Sequence, residues 1–90
     1  MVSRVWGYNI KPGKCKEDKV RMRVLPSLNF DVIGQLNKNE DIEILTKTDN
    51  TEKIEQWENY WYKIRKKDGT VGWVFGEFIK YTDKNNNKPY

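Results

Sequence analysis

Short apolar runs with a period of two, each closed by turn-forming residues, constrain this chain more than any other feature. In residues 41–45 (DIEIL), Ile42 and Ile44 alternate with carboxylates, and residues 20–24 (VRMRV) alternate apolar side chains with arginines. A strand points successive side chains to opposite faces, so the pattern places one face of each run in a core. The chain is therefore predicted to be all-β.

Five such runs can be identified, at residues 20–24, 32–36, 41–45, 60–66 and 70–75. Pro26 ends the first run, because proline cannot donate to a strand ladder. Lys67-Asp68-Gly69 joins the last two runs, and Gly69 permits a positive φ there. A short 3₁₀ turn before the last strand is predicted for residues 76–79. Short strands at this spacing predict a small five-stranded barrel.

Domain organisation follows from where these patterns begin and end. We assign residues 1–12 to an N-terminal arm, residues 13–82 to the barrel and residues 83–90 to a flexible C-terminal tail. The segment 46–59 is a long polar connection with two interpretations. One helical turn would place Ile54 and Trp57 on one face, whereas an acidic disordered loop is the alternative.

Composition excludes several classes of function. The chain has 90 residues, one Cys and no His, which rules out an internal disulfide and any Ser–His or Cys–His nucleophile. No metal, cofactor or catalytic site is predicted. No apolar run reaches the length of about 20 residues that a membrane helix needs. Cys15 is interpreted as a small hydrophobic residue of the first strand.

Charge is unevenly distributed along the chain. Residues 1–23 carry a net +5, residues 24–62 a net −5 and residues 63–90 a net +4. A nucleic-acid-binding barrel is one alternative at an isoelectric point near 9.2. The acidic middle of the chain argues against it, because phosphate contacts require Lys and Arg on the contact loops.

The ordered runs resemble the bacterial SH3-like (SH3b) domain family, a small barrel that binds ligands without catalysis. The resemblance covers roughly two-thirds of the chain, and its specificity lies in the ordered combination of three pieces. The matching positions are Val20, Met22, Arg23, Pro26 and Ser27, then Val32, Ile33, Gly34, Leu36, Ile42, Ile44 and Leu45, then Trp61 to Arg65, Asp68, Gly69 and Gly72 to Val74. The connection at 46–59 is longer than is usual in the family.

The resemblance implies a shallow aromatic groove between the loops 25–31 and 46–59. The residues expected there are Trp61, Tyr60, Phe75, Glu77, Phe78, Phe30 and Asp31. Strand alternation places Tyr62 and Ile64 inside and Trp61 outside, where an exposed indole would stack on a peptide or a sugar. The alternative is that these aromatic residues only close a small barrel. Trp73 is expected in the core.

Two charged sets remain open to two interpretations. The acidic loop residues Asp49, Glu52, Glu55 and Glu58, with Asp31, would favour a ligand that carries Lys, Arg or a free amine, or else are solvated loop charges. The outward residues Arg21, Arg23, Lys63 and Arg65 form a basic stripe for anionic polymers, or else surface charges that keep the sheet soluble.

The resemblance implies a non-catalytic binding module of a longer, exported bacterial protein, located in the cell envelope, periplasm or outside the cell. Its ligand is expected to be a peptide or a cell-wall component, with peptidoglycan peptide first, and the isolated domain is expected to be monomeric. A protein–protein adaptor or regulatory domain is the main alternative, and a nucleic-acid-binding barrel is the third.

Overall fold

Nine strands and one 3₁₀ turn make up the fold. The computed structural model of the chain describes residues 10–82. The strands are β1 (Lys11–Cys15), β2 (Val20–Arg23), β3 (Val32–Leu36), β4 (Asp41–Lys47), β5 (Glu52–Ile54), β6 (Trp57–Asn59), β7 (Trp61–Lys66), β8 (Val71–Phe75) and β9 (Ile79–Tyr81). The 3₁₀ turn spans Gly76–Phe78, directly before β9, which confirms that part of the prediction.

Seven of the strands form one antiparallel sheet, and the other two form a separate hairpin. The order in the sheet is β3-β2-β8-β7-β4-β1-β9, and β5 pairs only with β6. Strands β3 and β9 are the two ends of this order, so the described part of the chain does not form a closed barrel. The all-β prediction is confirmed, but the prediction of a five-stranded barrel is wrong.

Four strands, β1, β5, β6 and β9, lie outside the five apolar runs; a strand was predicted after the 3₁₀ turn, where β9 lies, and Cys15 of β1 was placed in a strand, but none was predicted at β5 or β6. Strands β5, β6 and β9 have three residues each, which is too few to establish an apolar period. Strand β1 contains Pro12 and Gly13, both of which argue against a strand from sequence alone. Tertiary pairing therefore determines these four strands.

The core confirms most of the alternation. Ile42, Ile44, Tyr62 and Ile64 are all buried, as their strand positions predicted. The full core cluster is Cys15, Val20, Met22, Leu36, Ile42, Ile44, Tyr62, Ile64, Val74 and Ile79. Burial also raises the pKa of the Cys15 thiol, consistent with its role as a small apolar residue.

Two residues expected in the core lie elsewhere. Val24 is exposed, because β2 ends one residue earlier. Trp73 is only partly buried, since it pairs across the sheet with Arg23 and Lys63 and therefore shares their face, which is opposite to the core.

The connection 46–59 is neither a helical turn nor a disordered loop. Its central part is the β5–β6 hairpin, in which Ile54 pairs with Trp57 and Glu52 pairs with Asn59. Glu55, the first linking residue, has a φ of 56°. Both earlier interpretations were wrong, because cross-strand pairing brings Ile54 and Trp57 opposite each other without a helix.

The turn between β7 and β8 follows the predicted chemistry, and a second turn, before β4, also has a residue with positive φ. Gly69 has a φ of 94° between β7 and β8, and Asn39 has a φ of 68° before β4. Residues 1–9 of the predicted arm and the predicted tail 83–90 lie outside the described residues, whereas Lys11 and Pro12 belong to β1. Among residues 10–82, no helix has the length and apolar character needed to cross a membrane.

Candidate functional site

Trp61 is the residue on which the predicted groove depended, and its exposure was predicted wrongly. It points away from Tyr62 and the core, but only 3% of its surface is exposed. The Phe75 ring packs against it at a centroid distance of 5.5 Å. Its Nε1 donates a 2.8 Å hydrogen bond to Glu52 Oε1 on the β5–β6 hairpin. The hairpin, which sequence alternation did not anticipate, is what buries the indole.

Trp61 belongs to an aromatic row outside the main core, which we define as Trp61, Phe75, Phe78 and Trp57. Phe75 and Phe78 have ring centroids 6.4 Å apart, and Phe78 and Trp57 are 5.9 Å apart. All three contacts in the row are edge-to-face, a geometry in which each pair adds about 1 kcal/mol beyond its burial. The row joins β7, β8, the 3₁₀ turn and β6.

A hollow of about 340 Å³, the first hollow, lies over one end of the aromatic row. Its lining consists of Glu17, Asp18, Lys19, Val20, Arg21, Arg23, Leu28, Trp61, Phe75 and Phe78. Arg23 Nη1 donates to the backbone oxygens of Leu28 at 3.1 Å and Phe30 at 3.0 Å. Arg23 therefore holds the 24–31 loop beside the hollow, whereas Arg21 is exposed.

A second hollow, of about 480 Å³, lies over the other end of the row. Lys16, Glu17, Trp57, Glu77 and Phe78 line it. Glu17 and Phe78 line both hollows, so the two are adjacent, and we refer to them together as the composite groove. Glu77 Oε1 accepts a 3.3 Å hydrogen bond from Asn59 Nδ2, which ties the 3₁₀ turn to the end of β6.

The seven predicted groove residues are only partly brought together. Trp61, Phe75 and Phe78 line the first hollow, and Glu77 lines the second. Tyr60 instead packs against the core, with Lys47 Nζ 3.8 Å from its ring centroid. Phe30 and Asp31 are exposed on the neighbouring loop and line neither hollow.

None of the acidic loop residues lines the composite groove. Glu52 is bonded to the Trp61 indole, and Glu58 Oε2 accepts a 2.7 Å hydrogen bond from Thr51 Oγ1. Glu55 lies at the hairpin turn, and Asp49 is exposed before β5. The carboxylates that do line the groove come from the β1–β2 connection and the 3₁₀ turn.

Several residues that line the composite groove were not predicted as site residues from the sequence. Trp57 was interpreted as part of a polar connection, although an indole in such a segment indicates a contact elsewhere. Leu28, Lys19 and Arg21 reach the groove only because β2 and the 24–31 loop lie beside β8. Within residues 10–82, no group of three or more Cys, Asp or Glu side chains could hold a metal ion.

A charged depression of about 540 Å³ lies elsewhere, lined by Asp41, Ile42, Glu43, Arg65, Lys66, Lys67 and Gly69. Arg65 pairs with Glu43 at 2.6 Å, and Lys67 pairs with Asp41 at 3.6 Å. A hydrogen bond and the positive charge of Lys14 lower the pKa of Asp41. Most charges of the depression thus have opposite partners. The predicted basic stripe is divided between Arg65 here and Arg21 and Arg23 at the groove, and Lys63 lines neither.

Comparison with models of protein families shows the family to which the chain belongs. The model of the bacterial SH3 domain family matches residues 18–80, which include most of both hollows. Searches of the curated proteins and of the solved structures find no significant match. The chain therefore belongs to the bacterial SH3 domain family. Domains of this family are generally non-catalytic, and membership indicates a module that binds a protein or a peptide.

Proposed function

We propose that this domain binds an extended peptide along the composite groove, as a non-catalytic module of a larger, exported bacterial protein. The observation that carries the proposal is the aromatic row, which runs under two adjacent hollows and gives them a common apolar floor. An apolar floor with a few polar groups at its rim is the usual composition of a ligand site. An extended chain could lie along such a groove.

Peptidoglycan stem peptide is the ligand to test first. Such a peptide is extended and carries carboxylates, and two exposed cations, Lys19 and Arg21, line the first hollow. Neither cation forms an ion pair within residues 10–82. Unpaired cations at a groove rim favour a ligand carboxylate through charge complementarity. A wall-binding role would place the parent protein in the cell envelope.

Cosedimentation with purified peptidoglycan tests the proposal. Arg21→Glu should reduce the bound fraction severalfold, since it reverses a charge at the groove. Lys53→Glu is the matched control, because it makes the same charge change at an exposed hairpin residue that lines neither hollow. Equal losses in the two variants would show that binding depends on net charge and not on the groove.

A protein–protein adaptor is the second candidate function, and one observation favours it. Apolar side chains are exposed together on the 24–31 loop and the edge strand β3, namely Val24, Leu25, Leu28, Phe30, Val32 and Ile33. Exposed apolar surface of this kind is typical of protein contacts. If Phe30→Ser abolishes capture of a partner domain while peptidoglycan does not bind, the adaptor function replaces the first candidate.

A further inference from the structure

The second hollow has the lining expected of a cation-binding subsite. We propose that it binds a positively charged group of the ligand, the side-chain amine of a lysine-type residue. This inference rests on the proposed function, because it names the chemistry of one end of the peptide that the composite groove would bind.

The lining supplies both interactions that an alkylammonium group needs. The Trp57 and Phe78 rings meet edge-to-face at 5.9 Å and form the apolar wall, against which the methylene stem of a lysine can pack. Glu17 and Glu77 line the same hollow and supply negative charge. Aromatic rings next to a carboxylate attract a cation both through the ring quadrupole and through charge.

The carboxylates of the hollow retain the capacity to accept hydrogen bonds from a ligand. Glu77 accepts one bond, from Asn59, and a carboxylate has about four acceptor positions. The Glu17 carboxylate forms no hydrogen bond or ion pair within residues 10–82. Lys16 also lines the hollow, but its Nζ lies within 4.0 Å of neither carboxylate, so it does not neutralise them as an ion pair.

The two hollows carry opposite charge, which orients the ligand. Lys19, Arg21 and Arg23 outnumber the acids of the first hollow, whereas Glu17 and Glu77 outnumber Lys16 in the second. A peptide with a carboxylate at one end and an amine at the other therefore fits the groove in one direction. The amine would lie at Trp57.

The β5–β6 hairpin builds this subsite. Trp57 reaches the hollow because Glu52 on β5 is bonded to the Trp61 indole and because Trp61 N donates to Thr48 Oγ1 at 3.1 Å. These contacts hold the hairpin against the body of the domain. The β5–β6 hairpin thus supplies the aromatic side chain specific to the cation subsite.

NMR titration can test the subsite directly, because Trp57 lines the second hollow, Trp61 lines the first, and each indole N–H gives its own signal. The probe is N-α-acetyl-lysine methylamide, added to the full chain and compared with its ε-acetylated form. The free amine should shift the Trp57 indole signal and leave that of Trp61 nearly unchanged. The acetylated probe should bind about fivefold or more weakly, because it lacks the charge. Equal shifts from the two probes would overturn the proposal.

A charge-matched pair of variants provides the second arm. The double variant Glu17→Gln, Glu77→Gln should lower the affinity for the amine probe by about fivefold to tenfold, as expected for two partly exposed charge contacts. Asp49→Asn with Glu55→Gln removes the same charge from exposed residues outside both hollows and should leave the affinity unchanged. Equal weakening in the two double variants would overturn the subsite in favour of general electrostatic attraction.

The subsite and the proposed function can fail separately. A Trp57 shift with the amine probe, without peptidoglycan cosedimentation, would support the cation subsite and overturn peptidoglycan as the ligand. Peptidoglycan cosedimentation without any Trp57 shift would overturn the subsite and leave the groove proposal standing.

Discussion

The two faces of β7 differ in what organises them. One face carries Tyr62 and Ile64 into a core built from neighbouring strands of the sheet. The other face carries Trp61, which is just as deeply buried but under a hairpin, a 3₁₀ turn and neighbouring aromatic rings. The first face is therefore determined by local alternation, whereas the second depends on segments distant in the sequence.

This difference explains the location of the groove. On the core face of β7, Tyr62 and Ile64 pack in the core cluster and line neither hollow. The Trp61 face is covered by the hairpin, the 3₁₀ turn, the β1–β2 connection and the 24–31 loop, and the two hollows lie between these segments. The predictions below test whether the two faces have separate energetic roles.

The largest expected effect lies on the core face. Ile64→Ala should cost about 3 to 4 kcal/mol in the free energy of unfolding, because the side chain is fully buried and leaves a cavity. Lys63→Ala, one residue earlier and on the other face, should cost less than about 0.5 kcal/mol. Urea unfolding followed by tryptophan fluorescence measures both. Similar costs for the two variants would contradict the division between the faces.

Gly76 lies where the two faces meet. A Cβ added there would be 2.5 Å from Asn59 Oδ1, 2.6 Å from Tyr62 Cε2 and 2.7 Å from the Tyr60 backbone oxygen. Gly76→Ala should therefore destabilise the domain by about 2 to 3 kcal/mol, as overpacking of a rigid site does.

Gly34→Ala is its control, because the nearest atom to an added Cβ there is Met22 Sδ at 3.2 Å, on a flexible side chain. The Gly34→Ala variant should lose less than about 1 kcal/mol in the free energy of unfolding. If the ranking were reversed in thermal unfolding, the 3₁₀ turn would not be packed as described.

The bond between Trp61 and Glu52 connects the hairpin to the outer face. A double-mutant cycle of Trp61→Phe and Glu52→Ala should give a coupling free energy of about 1 kcal/mol, typical of a hydrogen bond to a charged group at a partly exposed site. Glu52→Gln should lose less stability than Glu52→Ala, because the glutamine amide oxygen can still accept the hydrogen bond from the indole N–H. Strictly additive single effects would show that the hairpin is not held by this bond.

The smallest expected effect on stability concerns the charged depression, which shares no lining residue with either hollow. Because Lys14 lowers the pKa of Asp41 in the folded state, the stabilisation from this pair is present above the ordinary carboxyl pKa of 3.8. It is lost as the pH falls through the lowered value.

Asp41→Asn should therefore reduce stability near neutral pH and make no difference in strong acid, measured by urea unfolding at a series of pH values. In a Lys14→Met background, the effect of Asp41→Asn should be smaller at neutral pH, because its principal partner is absent. An unchanged effect in that background would contradict the stated cause.

The sequence predicts the core face well and the outer face poorly, for a physical reason. Ile42, Ile44 and Ile64 follow a period of two that reports their burial directly. The same period of two places Trp61 on the opposite face. Its burial, however, depends on the hairpin in which Ile54 pairs with Trp57, and that hairpin is too short to show a period in the sequence. The family resemblance predicted that Trp61, Phe75 and Phe78 lie together, and the three residues line the same hollow. The resemblance carries information on tertiary arrangement that alternation lacks.

The positions of charged residues in the fold were harder to predict than those of apolar residues. The segment 46–59 is rich in acids, and its carboxylates were expected to flank the groove. Hairpin pairing leaves Glu55 at the turn and uses Glu52 to bind the indole, so the groove acids are Glu17, Asp18 and Glu77 instead. Local composition does not indicate which charges converge in space, since convergence depends on how short elements pack.

The most direct test of the central claim is to map amide chemical-shift changes while adding soluble peptidoglycan fragments. If the ligand binds the Trp61 face, the largest changes should fall at Arg21, Leu28, Trp57 and Phe78, along the composite groove. Changes concentrated at residues 41–43 and 65–69, around the charged depression, would contradict the claim that the aromatic row is the binding surface.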